Sequence, residues 1–261
     1  MVVAPCVASA AVRRRRTGAP LAACAVLIAT TTGLATIGAA AFSGTGVSGQ
    51  PASGGSARVP AVIETSDPVR VAVVGDSLIA TTTPDQQAEL ARRGYDATVA
   101  GNPGKPLTDP WIQTRLGETS GAAIVVIATA SNDNLQLAAR AAEVGEAQAS
   151  AEYGRTLANT LDRVSAPCTV IVDVREQSSA IYQPATASVT NATLRAASLG
   201  SSRPTVVVPW SVQSAGHDHT DWFVDDELHF ITGGQRQDAG VEAYTQAIAE
   251  GVDQCRSLLA S

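Results

Sequence analysis

The stretch Val69-Arg70-Val71-Ala72-Val73-Val74-Gly75-Asp76-Ser77-Leu78 decides the fold. Its first part is a nearly continuous apolar run, which is typical of a strand buried on both faces of a parallel sheet. A sharp turn at Gly75 would then expose the hydroxyl of Ser77 and point backbone N–H groups at a reacting group. Two interpretations remain open at this point. Ser77 is a nucleophile, or Asp76 or Ser77 caps the segment that follows the strand.

Apolar runs and helical patterns alternate along the rest of the chain. Strands are predicted at Val69–Val74, Asp96–Ala100, Ala122–Thr129, Cys168–Val174 and Thr205–Pro209. Helices are predicted at Pro84–Arg93, Gly145–Val164, Pro184–Leu199 and Ala239–Leu259. This alternation predicts a doubly wound α/β domain with a parallel sheet. In such domains catalytic groups gather at the carboxyl ends of the strands.

Two further segments follow predicted strands and carry suitable donors. Gly101-Asn102-Pro103-Gly104 is a turn by composition, and it could present the backbone N–H of Gly104 to an oxyanion. Asn132, in Ser131-Asn132-Asp133-Asn134, has an amide suited to the same task. The alternatives are a plain loop around Gly104 and a helix N-cap at Asn132.

A possible base lies shortly before the last predicted helix. His229 follows Asp226 by three residues, a spacing that lets the Asp226 carboxylate reach Nδ1 of the ring while Nε2 faces Ser77. Nucleophile, base and orienting acid would then form one constellation. The alternative is a surface cap made by the same two residues.

These four segments, in this order, resemble the four blocks of the SGNH (GDSL-like) hydrolase family. The resemblance covers about Val69 to Val252. Two positions depart from the family pattern: Ala130 stands where a glycine is common, and Phe230 stands where a proline is common. Neither change removes a reacting group.

The resemblance implies a three-layer α/β/α sandwich around a flavodoxin-like, five-stranded parallel sheet. It also implies that Ser77 is the nucleophile, His229 the general base and Asp226 the residue that orients it. The backbone N–H groups of Ser77 and Gly104, with the Asn132 amide, would form the oxyanion hole. No cofactor and no metal are expected.

The expected function is carboxylic ester hydrolysis outside the cytoplasmic membrane, on a small-molecule, lipid or glycan ester. Two alternatives use the same fold. One is an O-acyltransferase that passes the acyl group to a cell-envelope glycan, and the other is a non-catalytic envelope binding module.

The N-terminal segment, residues 1–42, has the pattern of an export segment. Arg13–Arg16 precede an uncharged apolar stretch, which predicts a signal peptide or a single membrane anchor over residues 1–42. Residues 43–67 are rich in Gly, Ser and Pro and are interpreted as a flexible linker. The folded domain then covers residues 68–261. The arginines orient the segment so that the domain is secreted or held on the outer side of the membrane.

The exported part contains two cysteines, Cys168 and Cys255. An even count outside the cytoplasm favours a disulfide, and two buried free thiols are the alternative. Such a disulfide would tie the start of a predicted strand to the last helix.

The net charge and the remaining histidines bear on which ligands and partners the domain could bind. The formal net charge is −6 although four arginines lie in the export segment, so the domain offers no basic footprint for nucleic acid. His217 and His219 have acidic neighbours, and they fit either a metal site or a loop beside the catalytic cleft. Trp210, Trp222 and Phe223 fit either an acyl pocket or the core.

Overall fold

The computed structural model describes residues 67–177 and 184–261. The predicted export segment at 1–42 and nearly all of the predicted linker at 43–67 lie outside the described residues. Within the described ranges, none of the helices combines the length and the apolar character that crossing a bilayer requires.

The described chain forms a parallel sheet of five strands in the order β2-β1-β3-β4-β5. The strands are β1 Val69–Gly75, β2 Tyr95–Gly101, β3 Ile124–Ala128, β4 Cys168–Val172 and β5 Thr205–Val208. Every residue of β3 and β4 is buried, as the uninterrupted apolar runs predicted for strands covered on both faces. The strand order is the flavodoxin-like one, so the predicted fold class is confirmed.

Helices cover both faces of this sheet and complete the three layers. They are α1 Ser77–Arg92, α2 Pro110–Gly117, α3 Ala130–Val144, α4 Glu146–Arg163, α5 Pro184–Leu199, α6 Trp210–Gln213 and α7 Asp238–Leu259. One core cluster lies against α1 and α7, with Leu90 and Ile248 in it. The other lies against α2, α4 and α5, with Leu157 and Leu194 in it. A short hairpin, β6 Ile231–Thr232 and β7 Gln235–Arg236, precedes α7.

The start of α1 was predicted wrongly. The sequence placed it at Pro84, after three threonines, but the helix begins at Ser77 and contains Pro84. The hydroxyls of the three threonines each donate to a carbonyl four residues earlier in the helix: Thr81 to Ser77, Thr82 to Leu78 and Thr83 to Ile79. Packing against the sheet therefore overrides the weak helix propensity of these residues. Ser77 consequently lies at the first position of a helix, not in a loop ahead of one.

A disulfide joins Cys168 at the start of β4 to Cys255 in α7, which confirms the predicted bond and excludes the two free thiols. The two Cα atoms are 5.8 Å apart, and the bond closes a loop across a separation of 87 residues. Closing a loop of that length is worth about 4–5 kcal/mol in the chain-entropy account. The bond fixes the last helix to the sheet.

Candidate active site

Ser77 is held where β1 passes into α1. Asp76 is the N-cap of α1, and its carboxylate accepts a hydrogen bond of 3.0 Å from the Leu78 N–H. Two glycines let the first turn of α1 approach the strand ends closely. A Cβ at Gly101 would lie 2.1 Å from the backbone nitrogen of Ala80, and one at Gly75 would lie 2.3 Å from a side-chain carbon of α1. The cap and the nucleophile interpretations are therefore compatible, because Asp76 makes the cap and the Ser77 hydroxyl serves another partner.

That partner is His229. Its Nε2 lies 2.8 Å from Oγ of Ser77, and its Nδ1 lies 2.6 Å from Oδ2 of Asp226. The other oxygen of Asp226 accepts hydrogen bonds from the backbone N–H groups of Leu228 and His229, at 3.0 and 2.9 Å. One carboxylate thus fixes both the turn and the ring, which is the geometry of a nucleophile, a base and an orienting acid.

The electrostatics of Asp226 suit a carboxylate that stays ionised. Burial of Asp226 raises its pKa. The hydrogen bonds from the His229 backbone and ring and from the Leu228 N–H oppose this effect. They outweigh it, so that the pKa of Asp226 lies below its ordinary value. An ionised Asp226 can stabilise a positive charge on the His229 ring.

The two other predicted donors follow neighbouring strands. Gly104 lies in the turn after β2 with a φ of +72°, a conformation that favours glycine. Asn132 lies in the first turn of α3, after β3, and its amide donates a 3.0 Å hydrogen bond to Asp76. The N-cap of α3 is Thr129, so the interpretation of Asn132 as an N-cap is wrong. The strands β2, β1 and β3 are adjacent, and this brings both segments to the same sheet edge as Ser77.

Two buried carboxylates of this region, Asp76 and Asp133, were not among the predicted site residues. Burial raises the pKa of Asp76 to about 6, although Leu78 and Asn132 donate to it. Burial likewise raises the pKa of Asp133 to about 7, against hydrogen bonds from Leu107, Thr129 and Tyr153. Each lies beside a residue that the sequence analysis singled out, but no local pattern marks either carboxylate as special. What the sequence did not show is that both are buried.

The loop with the other two histidines is organised by carboxylates and aromatic rings. Nδ1 of His217 lies 2.5 Å from Asp221, and the His217 ring stacks on Trp222 at 3.5 Å between centroids. His219 lies 3.6 Å from Glu227. Across residues 67–177 and 184–261, no three side chains of His, Cys, Asp or Glu are grouped as metal ligands. These residues lie in a loop beside the turn that carries Asp226 and His229.

The candidate acyl-pocket aromatics belong largely to the core. Trp210 and Phe223 are fully buried and contact each other edge to face. Trp222 stacks on Trp210 on one side and on His217 on the other. The core interpretation is therefore correct for Trp210 and Phe223.

Solved structures share this arrangement of strands and helices. TesA has a TM-score of 0.53 at 19% identity, and the match covers 71% of this chain and 99% of TesA. The C-terminal catalytic domain of peptidoglycan O-acetyltransferase A (OatA) from Streptococcus pneumoniae has a TM-score of 0.52 at 13% identity. That match covers 73% of this chain and 96% of the domain. The chain has the SGNH hydrolase fold.

A third structure with this SGNH fold is a lipase/acylhydrolase from Enterococcus faecalis, with a TM-score of 0.53 at 13% identity. The match covers 71% of this chain and 95% of that protein. In contrast, no family model and no curated protein matches the sequence.

Proposed function

We propose that this SGNH-fold chain is a serine ester hydrolase that works through an acyl-enzyme on Ser77. One observation carries the proposal: an unbroken hydrogen-bonded line runs from Oγ of Ser77 through the ring of His229 to Asp226. A serine hydroxyl is a weak nucleophile on its own, and an adjacent oriented base is what activates it.

Each residue of the line has one role in the proposed reaction. His229 takes the hydroxyl proton of Ser77 as the oxygen attacks the ester carbonyl, and it then gives that proton to the departing alcohol. Asp226 keeps the ring oriented and stabilises its positive charge. Water, deprotonated by His229, attacks the acyl-enzyme and releases the acid and the free serine. No cofactor enters these steps.

We assign the oxyanion to three donors that lie at the same edge of the sheet. The first N–H groups of a helix have no carbonyl partner within that helix, so the Ser77 N–H at the start of α1 can donate. The Asn132 amide has two N–H donors, and one of them serves Asp76. We assign the second donor, together with the Gly104 N–H, to the oxyanion. Removing one such donor typically lowers kcat by about 10²–10³-fold.

The proposed setting is outside the cytoplasmic membrane, with a small-molecule, lipid or glycan ester as substrate. The Cys168–Cys255 disulfide supports an oxidising compartment. The neighbours in fold include a lipase/acylhydrolase and a peptidoglycan O-acetyltransferase domain. With a glycan hydroxyl in place of water, the same acyl-enzyme would make the chain an acyltransferase.

The experiment is hydrolysis of p-nitrophenyl acetate by the full-length chain, with and without a glycan acceptor. We expect acetate release that is lost in Ser77→Ala. The matched control is Ser211→Ala, because Ser211 is also buried and its hydroxyl is hydrogen-bonded to Asp173. Hydrolysis that survives Ser77→Ala would contradict the proposal. Acetylated glycan in place of free acetate would assign the transferase role.

A further inference from the structure

The loop that carries Gly104 is fixed to the rest of the domain on either side of that glycine. Before it, the N–H of Asn102 donates a 3.0 Å hydrogen bond to the carbonyl of Gly75. After it, Leu107 is held at both of its backbone groups. Its N–H donates to Asp133 at 2.6 Å, and its carbonyl accepts from the side chain of Gln113 at 2.6 Å.

The chain around Gly104 is held on both sides of the glycine. A Cβ built at Gly104 would have no heavy atom within 4 Å, so the space on that side of its Cα is open. Its neighbour Lys105 pairs with Asp109 at 3.0 Å, and the backbone is hydrogen-bonded at Asn102 and Leu107. Leu107 is also fully buried, so its backbone cannot move without disturbing the core.

Asp133 connects this loop to three other elements. It lies in the first turn of α3, next to Asn132. Its second oxygen accepts hydrogen bonds from the hydroxyl of Thr129 at 2.8 Å and from that of Tyr153 at 3.1 Å. Asp133 therefore links the loop after β2, the end of β3 and helix α4 at one buried point. These bonds favour its ionised form, which burial alone disfavours.

A cavity lies beside the hydrogen bond that Asp133 makes to this loop. A cavity of about 370 Å³ lies between α3 and α4, and Thr108, Asp133 and Tyr153 are among its lining residues. Of the loop residues, Thr108 borders this cavity. The loop is held here by the Leu107 hydrogen bonds together with the burial of the Leu107 side chain.

We propose that Asp133 is a positioning residue that places two of the oxyanion donors, the Gly104 N–H and the Asn132 amide, relative to Ser77. It fixes the first through Leu107 and the second through the turn of α3 that it shares with Asn132. The inference rests on the proposed function, since the donors matter only if an oxyanion forms. The oxyanion forms in the tetrahedral intermediate and the transition states beside it and is absent from the bound ester, so displaced donors lower kcat and leave substrate binding nearly unchanged.

The test compares kcat and KM for p-nitrophenyl acetate in the full-length chain and three variants. Asp133→Ala should lower kcat by about 10²-fold, as misplacement by an ångström can do, with KM within about threefold of wild type. Asp133→Asn should restore most of kcat. Its carbonyl can accept from Leu107, and its N–H groups can donate to the Thr129 and Tyr153 hydroxyls.

The matched control is Asp173→Ala. Asp173 is also buried and also accepts a 2.6 Å hydrogen bond from a backbone N–H, that of Ser211, but it makes no contact with the loop of Gly104 that the structure records. We expect this variant to lose thermal stability and to keep its kcat. If Asp133→Ala does not fold, Gln113→Ala removes the other side-chain bond to Leu107 and should lower kcat by about tenfold.

A kcat of Asp133→Ala equal to that of wild type, in an enzyme whose activity Ser77→Ala abolishes, would overturn the inference and leave the proposed function intact. An equal loss of kcat in Asp173→Ala would also overturn it, because any buried carboxylate would then act alike. Activity that does not depend on Ser77 would overturn the proposed function and the positioning role together.

Discussion

Two histidine–aspartate pairs lie a few residues apart in this domain, and of the two only His229–Asp226 extends to a serine hydroxyl that the structure records. The ring nitrogen Nδ1 lies 2.6 Å from the carboxylate in His229–Asp226 and 2.5 Å in His217–Asp221. The difference is at the rest of the ring. His229 presents Nε2 to Ser77, whereas His217 lies flat on Trp222. The histidine–carboxylate pair thus occurs twice in this domain, and the contact with Ser77 is what distinguishes His229 from His217.

The two aspartates are also alike in their electrostatics. Each accepts two backbone N–H bonds besides the ring: Asp226 from Leu228 and His229, Asp221 from Asp218 and Trp222. In both cases burial raises the pKa, while hydrogen bonds from the ring and the backbone lower it below the ordinary value. The local electrostatics of the aspartates therefore do not distinguish the two pairs. What distinguishes them is that the tertiary structure places the His229 ring against Ser77 at the start of α1.

The largest expected effect is the difference in kcat between removing the His229 ring and removing the His217 ring. His229→Ala should lower kcat for p-nitrophenyl acetate by about 10⁴–10⁶-fold, because loss of the base leaves Ser77 unactivated. His217→Ala should leave kcat within about threefold of wild type, because its ring has no contact with the nucleophile that the structure records. Steady-state kinetics of both variants check this. Equal losses in the two variants would remove the distinction between the pairs.

The next largest expected effect on kcat comes from substituting the aspartates of the two pairs. Asp226→Asn should lower kcat by about 10²–10⁴-fold with the fold preserved, since an amide can stabilise the wrong tautomer of the ring. Asp221→Asn is the matched change in the other pair, and we expect it to keep nearly full activity. Circular dichroism of both variants shows whether the fold is kept. A fully active, folded Asp226→Asn variant would contradict the orienting role.

The sequence predicted the contacts among Ser77, His229 and Asp226 by the order of its segments, not by the histidine–aspartate pair itself. Asp226 three residues before His229 is no stronger a signal than Asp221 four residues after His217. The preference for His229 came from the blocks at Ser77, Gly104 and Asn132, which each follow a strand. The strand positions were predictable because buried parallel strands are continuous apolar runs, whereas the strand order and the three layers were what the family resemblance implied.

Other features could not be read from local pattern. The start of α1 at Ser77 was missed because Thr81–Thr83 and Pro84 are poor helix formers, and only packing against the sheet overrides them. Helix α3 was missed as well, so Asn132 was expected beyond a strand and not within a helical turn. Asp133 was unremarkable in sequence because its contacts with Leu107 and Tyr153 join distant segments.

A smaller effect is expected for stability around the His217–Asp221 pair, where a substitution should change the free energy of unfolding but not kcat. Trp222→Ala removes the ring that lies between His217 and Trp210. The free energy of unfolding should fall by about 2–3 kcal/mol, less than for a fully buried tryptophan, while kcat changes by less than about threefold. Urea denaturation and kinetics on one preparation check both. A loss of kcat without a loss of stability would give the His217–Asp221 pair a role in the reaction.

The smallest effect is on the pH dependence of stability. The pKa of Asp226 is lowered on folding, so its ionised form stabilises the folded state above the unfolded value of 3.8. That contribution is lost as the pH falls through the lower, folded pKa. The difference in free energy of unfolding between wild type and Asp226→Asn should therefore shrink as the pH drops from 5 towards 3. Asp221 is more exposed than Asp226, so solvent screens its interactions more strongly. The difference in free energy of unfolding between wild type and Asp221→Asn should therefore depend less on pH. A difference that stays constant with pH would contradict the shift.

The most direct test of the central claim is covalent labelling of the full-length chain with a fluorophosphonate probe, followed by peptide mass spectrometry. The account predicts a label on Ser77, no label in Ser77→Ala, much slower labelling in His229→Ala and normal labelling in His217→Ala. A folded wild-type chain that takes no label, or a Ser77→Ala variant labelled as fast as wild type, would contradict it.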